Sequence, residues 1–375
     1  MPTGRGWLVA ATGALLLAAG VVSAYQELAL LGGLALAAVL AAVLLVGRPP
    51  AVLTERSLPG RRSAPGAELR VRLSVRNPGR RGVQVSERIA GAGGERAVGL
   101  PPLAPHATGG SGYRITAARR GVVELGPVRA GRSDPFGLAA LHRPCGAADR
   151  IWVHPRWERL RAVPVGRVAD PDGAVDGARA GTLTFHTLRD YVPGDDLRHV
   201  HWRSSARLDR LVVREFVDTS QTRVCVLVDD RPTPGGDARL DEVAGAAASI
   251  LATGVHSALH CELRLVSGRG RESTAGLAPL LDLLAEAAPT AGADLGRALR
   301  LARTRPAGDT AVLVSGALSD ADVRLFGQLG VHYAGLLAAV VGAEERPAAP
   351  AGVTLIAAGD AAGFAERWNE APWSR

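Results

Sequence analysis

Two apolar runs open the chain, residues 7–24 and 28–46, joined by Tyr25-Gln26-Glu27. Each run has about the minimum length for crossing a bilayer. A cleaved signal peptide would be followed by a soluble chain, whereas here a second apolar run follows at once. The pattern predicts a hairpin of two transmembrane helices over residues 1–48. Two buried helices of a soluble core are the alternative.

After Pro49-Pro50 the pattern changes to an alternation of apolar and polar residues. Leu69, Val71, Leu73 and Val75 alternate with polar side chains, which is typical of a half-buried strand. Further short strands follow, separated by Gly/Pro turns such as the one at residues 77–79. We therefore predict a β-sandwich domain over residues 51–160. A Gly/Asp/Pro-rich segment, residues 164–181, then predicts a linker.

From residue 219 onward, short apolar runs alternate with segments of helical spacing. The run at residues 224–228 is the first of these strands, and residues 240–259 have the spacing of a helix. Such alternation predicts an α/β domain over residues 219–375, with a Rossmann-type parallel sheet and helices on both faces. Ligands of such sheets bind at the carboxyl ends of the strands, where Asp229 and Ser315 are placed.

The densest cluster of polar and aromatic residues lies between the two predicted domains, within the linker and motif region 161–218. Arginine presents a planar fork of donors that suits a carboxylate, so we predict a partly buried network of ion pairs that fixes how the two domains meet. A surface for a partner or ligand is the alternative. Catalysis is disfavoured because no nucleophile stands beside a base. The residues of this motif are Arg189, Tyr191, Pro193, Gly194, Asp195, Arg198, Trp202, Ser205 and Arg207.

Charge narrows the possible functions. The net charge is +8, and all 44 basic residues are arginine. Without lysine the chain has no Walker-type nucleotide site and forms no lysine Schiff base. The arginines are scattered, aromatic residues make up only 4%, and no nucleic-acid motif occurs, so nucleic acid is not expected as a partner. Arg5 and Arg48 flank the hairpin and its connection has no arginine. The positive-inside rule therefore predicts a multi-pass protein of the inner cell membrane, with both termini and the soluble body in the cytoplasm.

Two sequence blocks resemble a known bacterial family. The first is R-x-Y-x-P-G-D-x-x-R-x-x-x-W-x-x-S-A-R, from Arg189 to Arg207, and the second spans residues 119–138 and contains the turn Asp134-Pro135-Phe136-Gly137. Together with their flanks, residues 50–230, they are similar to the domain of unknown function 58 family. The resemblance implies a C-terminal domain of the von Willebrand factor A type. It also implies a MoxR-type AAA+ ATPase as partner, in the assembly or maturation of other proteins.

Domains of the von Willebrand factor A type often hold a divalent cation with D-x-S-x-S after the first strand, plus a Thr and an Asp from later loops. Here the first motif reads Asp229-Asp230-Arg231-Pro232-Thr233, so Arg231 replaces the first serine. Asp294 stands where Thr is usual, and Ser315-Gly316 stands where Asp is usual. Hydroxyls and carboxylates suit a hard cation, whereas a guanidinium repels it. The sequence predicts a degenerate site without metal or other cofactor, in which Arg231 pairs with Asp229 or Asp294.

Two functions of different class follow from these observations. The first is a non-catalytic scaffold or adaptor anchored in the membrane. The alternative is a metal-dependent or hydrolytic enzyme that uses the Asp and His residues of the 189–207 motif. Because the sequence lacks a full set of metal ligands, the scaffold is the expected function. The client protein and the oligomeric state are left open.

Overall fold

The computed structural model describes residues 1–91, 94–165, 183–190, 202–208, 210–218, 222–305, 308–342 and 347–374. For residues 183–190 and 213–218 it describes the backbone alone. The chain divides into two compact units, which are described separately. The first comprises Met1–Arg156 and Leu284–Glu286, and the second comprises Trp157–Leu283 and Ala287–Arg375.

The first unit begins with two antiparallel helices, α1 (Gly4–Val22) and α2 (Gln26–Val46). Both are long and apolar enough to cross a membrane, which is compatible with membrane anchoring. The connection is shorter than predicted, because Gln26 and Glu27 already form the first turn of α2. The helices approach closely at Gly32, where a Cβ atom would collide with the backbone of Leu17.

Nine strands follow, and they form two sheets. Val71, Leu73 and Val75 are buried while their neighbours along the strand are exposed, so the predicted alternation is confirmed. One sheet has the order β1-β3-β6, the other has the order β2-β9-β7-β4-β5, and β8 also pairs with β7. Apolar side chains of both sheets pack into two core clusters, one of which includes Val75 and Val85 and the other Val71 and Ile89. The strands are β1 (Leu53–Ser57), β2 (Arg62–Ser63), β3 (Glu68–Arg76), β4 (Val83–Gly91), β5 (Gly94–Leu103), β6 (Thr108–Thr116), β7 (Gly121–Ser133), β8 (Ala140–Cys145) and β9 (Asp149–Val153).

Three loops lie at the end of the sheets that meets the helical hairpin: residues 77–82, 104–107 and 134–139, here called the base loops. Buried Asn77 ties two of them together, since its Nδ2 donates to the carbonyls of Arg81 (2.9 Å) and Ala104 (3.0 Å). Its Oδ1 accepts from the amide of Gly79 at 3.0 Å. The predicted turn at Asn77 therefore also organises this end of the sandwich, because every polar atom of the buried side chain is used.

A buried ionic network crosses the space between the two sheets. Glu87 on β4 is fully buried; it accepts from Arg56 Nε on β1 at 2.9 Å and from Tyr113 Oη on β6 at 2.6 Å. Arg56 also forms an ion pair with Asp149 on β9. Burial and the acceptor Glu87 raise the pKa of Tyr113 above its usual range, so the phenol stays a donor. The network fixes the sheets relative to each other.

The second unit contains an antiparallel strand pair and a six-stranded sheet with helices. The pair is β10 and β11, with helix α3 between them in the sequence. The elements are β10 (Leu183–Asp190), α3 (Trp202–Leu208), β11 (Val212–Asp218), β12 (Arg223–Val228), α4 (Gly236–His256), β13 (His260–Leu265), β14 (Gly270–Glu272), α5 (Ala278–Glu286, whose last three residues are counted with the first unit), α6 (Leu295–Arg303), β15 (Gly308–Ser315), α7 (Asp320–Gly327), β16 (Tyr333–Val341), β17 (Thr354–Ala358) and α8 (Ala361–Glu370).

The strand order of the larger sheet is β14-β13-β12-β15-β16-β17, with every pair parallel except β13–β14. Helices α6 and α7 cover one face, where Leu299 and Phe326 pack on Leu227 and Leu313. Helices α4 and α8 lie against the strands of this sheet, and Val226 and Val314, which alternate with Leu227 and Leu313, are buried, so these helices cover the other face. The predicted parallel sheet with helices on both faces is thus observed. The edge strand β14 was not predicted because its Gly-Arg-Glu sequence is short and polar.

The network between the sheets of the sandwich yields a stability prediction. Arg56→Ala would leave the buried Glu87 carboxylate without its counter-charge, so we expect a loss of about 3–5 kcal/mol in the free energy of unfolding. Arg61→Ala is the matched control, because Arg61 also contacts Asp149, at 3.4 Å, but is 70% exposed. The control should lose less than about 1 kcal/mol. Urea denaturation of the full chain in mild detergent measures both, and equal losses would refute the structural role of the network.

Candidate functional site

Two residues meet at the carboxyl edge of the large sheet. Asp229 follows β12 directly, and Ser315 ends β15. The order of the strands reverses between β12 and β15, and ligands of open α/β sheets bind at such a point. Both residues are buried, and Ser315 Oγ donates to Asp229 Oδ2 at 2.7 Å. The structure therefore brings together these two residues of the predicted degenerate cation site.

Arg231 faces Asp229 and balances its charge. Its Nε donates to Asp229 Oδ1 at 2.9 Å and its Nη2 donates to Asp229 Oδ2 at 2.8 Å, so one fork engages both carboxylate oxygens. Its Nη1 donates to Asp322 Oδ1 at 3.2 Å. Hydrogen bonding to Asp229 outweighs burial and raises the pKa of Arg231 above its already high ordinary value. The guanidinium is thus a permanent cation between two carboxylates.

The second carboxylate, Asp322, is a site residue that the sequence analysis missed. It lies in the first turn of α7, where Ser319 caps the helix and the two residues exchange backbone-to-side-chain hydrogen bonds. Burial alone would raise its pKa, but hydrogen bonds from Ser319 and Arg231 lower it below its usual value. The Ser319-x-x-Asp322 pattern is typical of a helix start, but the cation motif indicated site residues only at positions 229–233, 294 and 315.

The other two predicted members of the degenerate site lie differently. Asp294 caps α6, accepting from the amide of Gly296 at 2.8 Å, and its side chain is 59% exposed. It does not contact Arg231, so of the two pairings considered the structure contains the one with Asp229. Thr233 precedes α4 and its hydroxyl lies beside Gly316, where an added Cβ atom would be 3.4 Å from Thr233 Oγ1.

A second arginine borders the same edge of the sheet. The side chain of Arg239, on the second turn of α4, lies against Gly316 and Gly342, where an added Cβ atom would collide with it. Gly342 also has a φ of +88°, which a larger residue rarely adopts. Within the described part of the chain, Arg239 Nη1 is buried without a hydrogen-bond partner. Two fixed positive charges therefore stand at this edge.

This arrangement does not fit a divalent cation. Both oxygens of Asp229 are already engaged by Arg231, and a metal ion between Asp229 and Asp322 would lie against the guanidinium. Over the residues that the structure describes, no group of three His, Cys, Asp or Glu side chains is placed to hold a metal ion. What the site can do chemically is present fixed cations, which suits the recognition of a carboxylate or another anion.

The motif of residues 189–207 is only partly described. Tyr191, Pro193, Gly194, Asp195 and Arg198 lie outside the described residues, so the ion-pair network stays a prediction. Arg189 is described by its backbone alone, as part of β10.

Trp202, Ser205 and Arg207 lie on α3. Buried Ser205 accepts from the amide of Val212 at 2.9 Å, which joins α3 to β11. Trp202 is 64% exposed and Arg207 is exposed. The expectation that Trp202 is part of a buried network is therefore wrong, and its ring lies on the surface.

Comparison with known families gives one match. Residues 187–332, less than half of the chain, match the family described as "Protein of unknown function DUF58". This match supports the resemblance that the two sequence blocks indicated, and it extends past the motif into the α/β unit. No curated protein sequence matches the chain.

Solved structures show only weak likenesses. The CARDB domain of the PF1109 protein from Pyrococcus furiosus is 15% identical over 28% of this chain and 90% of its own, with a TM-score of 0.21. The PKD domain of an M14-like peptidase from Thermoplasmatales archaeon SCGC AB-540-F20 is 15% identical over 28% of this chain and 96% of its own, with a TM-score of 0.20. Scores this low carry no argument about fold or function.

The position of Arg231 yields a second stability prediction. Arg231→Ala would leave Asp229, whose side chain has no exposed surface, without its counter-charge, and we expect a loss of about 3 kcal/mol or more. Arg324→Ala is the control, because Arg324 is exposed on the same helix as Asp322 and should stay within about 0.5 kcal/mol of the wild type. Chemical denaturation of the full chain in detergent measures both. Wild-type stability of Arg231→Ala would contradict the role of Arg231 as a built-in cation.

Proposed function

We propose that this protein is a non-catalytic scaffold or adaptor anchored in the membrane. The observation that carries the proposal is the engagement of both Asp229 oxygens by Arg231. A carboxylate at the switch point of a parallel sheet is a natural metal or catalytic group. Here Arg231 of the same chain already neutralises the Asp229 carboxylate, so the carboxylate is available neither as a metal ligand nor as a general base. Binding through fixed charges is the function that this chemistry supports.

We further propose that the α/β unit is of the von Willebrand factor A type. The strand order and the carboxylate directly after the central strand β12 support this assignment. In this interpretation, Arg231 and Arg239 take the place of the exchangeable cation. Their positive charges favour a partner that contributes an acidic group at the carboxyl edge of the sheet.

The proposed partner is a MoxR-type AAA+ ATPase, which the family resemblance implies, and the proposed process is the assembly or maturation of other proteins. Exposed Trp202 and Arg207 on α3 offer a suitable surface. Tryptophan and arginine are the residue types that most often dominate the energy of protein interfaces. We propose that this surface, which is part of the 189–207 motif, contacts the partner.

Membrane topology is the first test. Because Arg5 and Arg48 flank the hairpin and its turn has no arginine, we propose that both termini lie in the cytoplasm. A cysteine introduced as Gln26→Cys, at the start of α2, should then react with an impermeant thiol reagent added to intact cells. A cysteine introduced as Ser374→Cys should react only after the membrane is opened. The reverse pattern would refute the orientation.

The partner surface is the second test. Trp202→Ala should weaken capture of a MoxR-type ATPase from the same genome by roughly tenfold or more, as expected for an interfacial tryptophan. It should leave the melting temperature nearly unchanged, since the ring is mostly exposed. Val331→Ala is the matched control, because Val331 is 67% exposed on another element and should change neither quantity.

Two outcomes would favour the enzymatic alternative instead. One is a saturable rise of the melting temperature with Mg²⁺ or Mn²⁺, because a ligand at about 100 times its dissociation constant adds roughly 2.7 kcal/mol. The other is a hydrolytic activity that Asp195→Asn abolishes at wild-type stability. Either result would mean that the 189–207 motif, or the edge of the sheet, performs chemistry.

A further inference from the structure

An exposed phenylalanine stands at the foot of the helical hairpin. Phe136 lies in the base loop of residues 134–139, in the turn Asp134-Pro135-Phe136-Gly137, and is 79% exposed. A large apolar side chain at a turn tip contributes nothing to a core. The turn that holds it is nevertheless firmly built. Buried Asp134 accepts from the amides of Phe136 (2.8 Å) and Ala139 (2.5 Å) with its two side-chain oxygens.

The same turn is bound to the start of α1. Thr3, the N-cap of α1, donates from Oγ1 to the carbonyl of Gly137 at 2.6 Å, and its amide donates to the carbonyl of Leu138 at 2.8 Å. Gly6 lies so close to the Leu138 carbonyl that a Cβ atom there would collide with it. Ala139 packs against the last turn of α2, at Val46. The depth of Phe136 relative to both helices is therefore fixed.

The thickness of the layers of a bilayer indicates which layer contains the turn. Trp7, 65% exposed, is the first large apolar residue of α1, and tryptophan favours the boundary between hydrocarbon and headgroups. Thr3 precedes Trp7 by four residues, about 6 Å along a helix. The headgroup layer is about 5–7 Å thick on each side of the hydrocarbon core. A turn bound to Thr3 therefore lies within the headgroup layer when α1 crosses the membrane.

The charges at this end of the unit match an anionic surface. The terminal segment 1–6, the segment 47–52 after α2, and the three base loops contain the arginines Arg5, Arg48, Arg80 and Arg81, all exposed. Their single acidic residue is Asp134, which is buried. Arg81 Nη1 also donates to the carbonyl of Leu45 at 2.7 Å, at the end of α2. Clustered arginines beside a membrane-spanning helix attract anionic lipids.

We propose that the 134–139 base loop is an interfacial anchor, in which Phe136 inserts among the lipids while the surrounding arginines bind anionic phosphate headgroups. The proposal rests on the membrane hairpin of the proposed function. It adds that the sandwich lies directly on the membrane surface and is not suspended from it by a flexible tether. Its ligand is the headgroup of an anionic phospholipid, such as phosphatidylglycerol.

The test places an environment-sensitive NBD fluorophore on the full chain. Cys145→Ser removes the partly exposed native thiol, whereas Cys225 and Cys261 are buried. Phe136→Cys then carries the label at the turn, and Ala118→Cys carries it at an exposed position at the opposite end of the sandwich. In phosphatidylcholine vesicles containing phosphatidylglycerol, the label at position 136 should emit at shorter wavelength and be quenched by spin-labelled lipids. The label at position 118 should behave as in water.

The headgroup preference is measured by comparing two quenchers at equal mole fraction. Spin-labelled phosphatidylglycerol should quench the label at position 136 more than spin-labelled phosphatidylcholine does, with local enrichment of up to about fivefold per arginine at low salt. Arg80→Gln should reduce this excess, and Arg70→Gln, on an exposed strand position far from the base loops, should not. Equal quenching by the two lipids in the wild type would overturn the headgroup assignment.

Failure of the anchor is distinguishable from failure of the hairpin. If the label at position 136 behaves as in water while Gln26→Cys is still labelled across the membrane, the anchor is refuted and the hairpin stands. If the label at position 136 behaves as in water and Gln26→Cys is not labelled from outside the cell either, the hairpin itself is refuted. Two further variants test the turn itself. If the label at position 136 keeps its apolar environment with Pro135→Ala but loses it with Asp134→Ala, the hydrogen bonds of Asp134 are what hold residue 136 in the membrane.

Discussion

A buried carboxylate must be balanced by positive charge, and the position of Asp229 makes this constraint unavoidable. The residue follows the central strand of a parallel sheet, where the carboxyl ends of the strands converge and water is largely excluded. An unpaired carboxylate there would cost several kcal/mol. Three solutions exist in principle: a bound metal, a protonated acid or an internal cation. This chain uses the third, and the arrangement around the site follows from it. Arg231 fills the space, Asp322 accepts from its Nη1 and Nη2, and Ser319 holds Asp322 in place.

The same constraint recurs in the sandwich. Glu87 is buried between two sheets and is balanced by Arg56 and by the hydroxyl of Tyr113. A chain without lysine has only the guanidinium for this purpose, and a guanidinium engages two acceptors at once with fixed geometry. Arg56 uses this property to reach acidic residues on two strands of the opposite sheet. Arg231 uses it to engage Asp229 through Nε and Nη2 and Asp322 through Nη1 and Nη2.

The pattern of apolar residues predicted helices and strands well, because buried positions recur with a fixed period along each element. The first strand of the α/β domain was predicted at residues 224–228, because these residues form one unbroken apolar run, and the structure places β12 at Arg223–Val228. The sandwich strands followed from the alternation of apolar and polar residues, as in β3. These features depend on residues that are close together in the sequence, so one sequence is enough to predict them.

Features that depend on neighbours in space were harder to predict. Nothing in the sequence pairs Arg56 with Glu87, because their meeting requires two sheets to face each other. Asp322 was missed for the same reason: it reaches Arg231 across 91 positions of the chain. Trp202 was expected in a partly buried network because many charged residues stand beside it in the sequence, yet it is exposed on α3. The exposure of Trp202 places a large aromatic ring on the surface of α3, which no pattern in the sequence indicated.

An internal cation limits what this edge of the sheet can do. A metal ion leaves open coordination positions and can be gained or lost as its concentration changes, so it can link binding to conditions in the cell. Arg231 is always charged and always present, and its Nε, Nη1 and Nη2 all donate to the chain's own carboxylates. The charge that neutralises Asp229 therefore does not depend on the concentration of a metal ion. Arg239 adds a second cation at the same edge, and its buried Nη1 has no hydrogen-bond partner among the described residues.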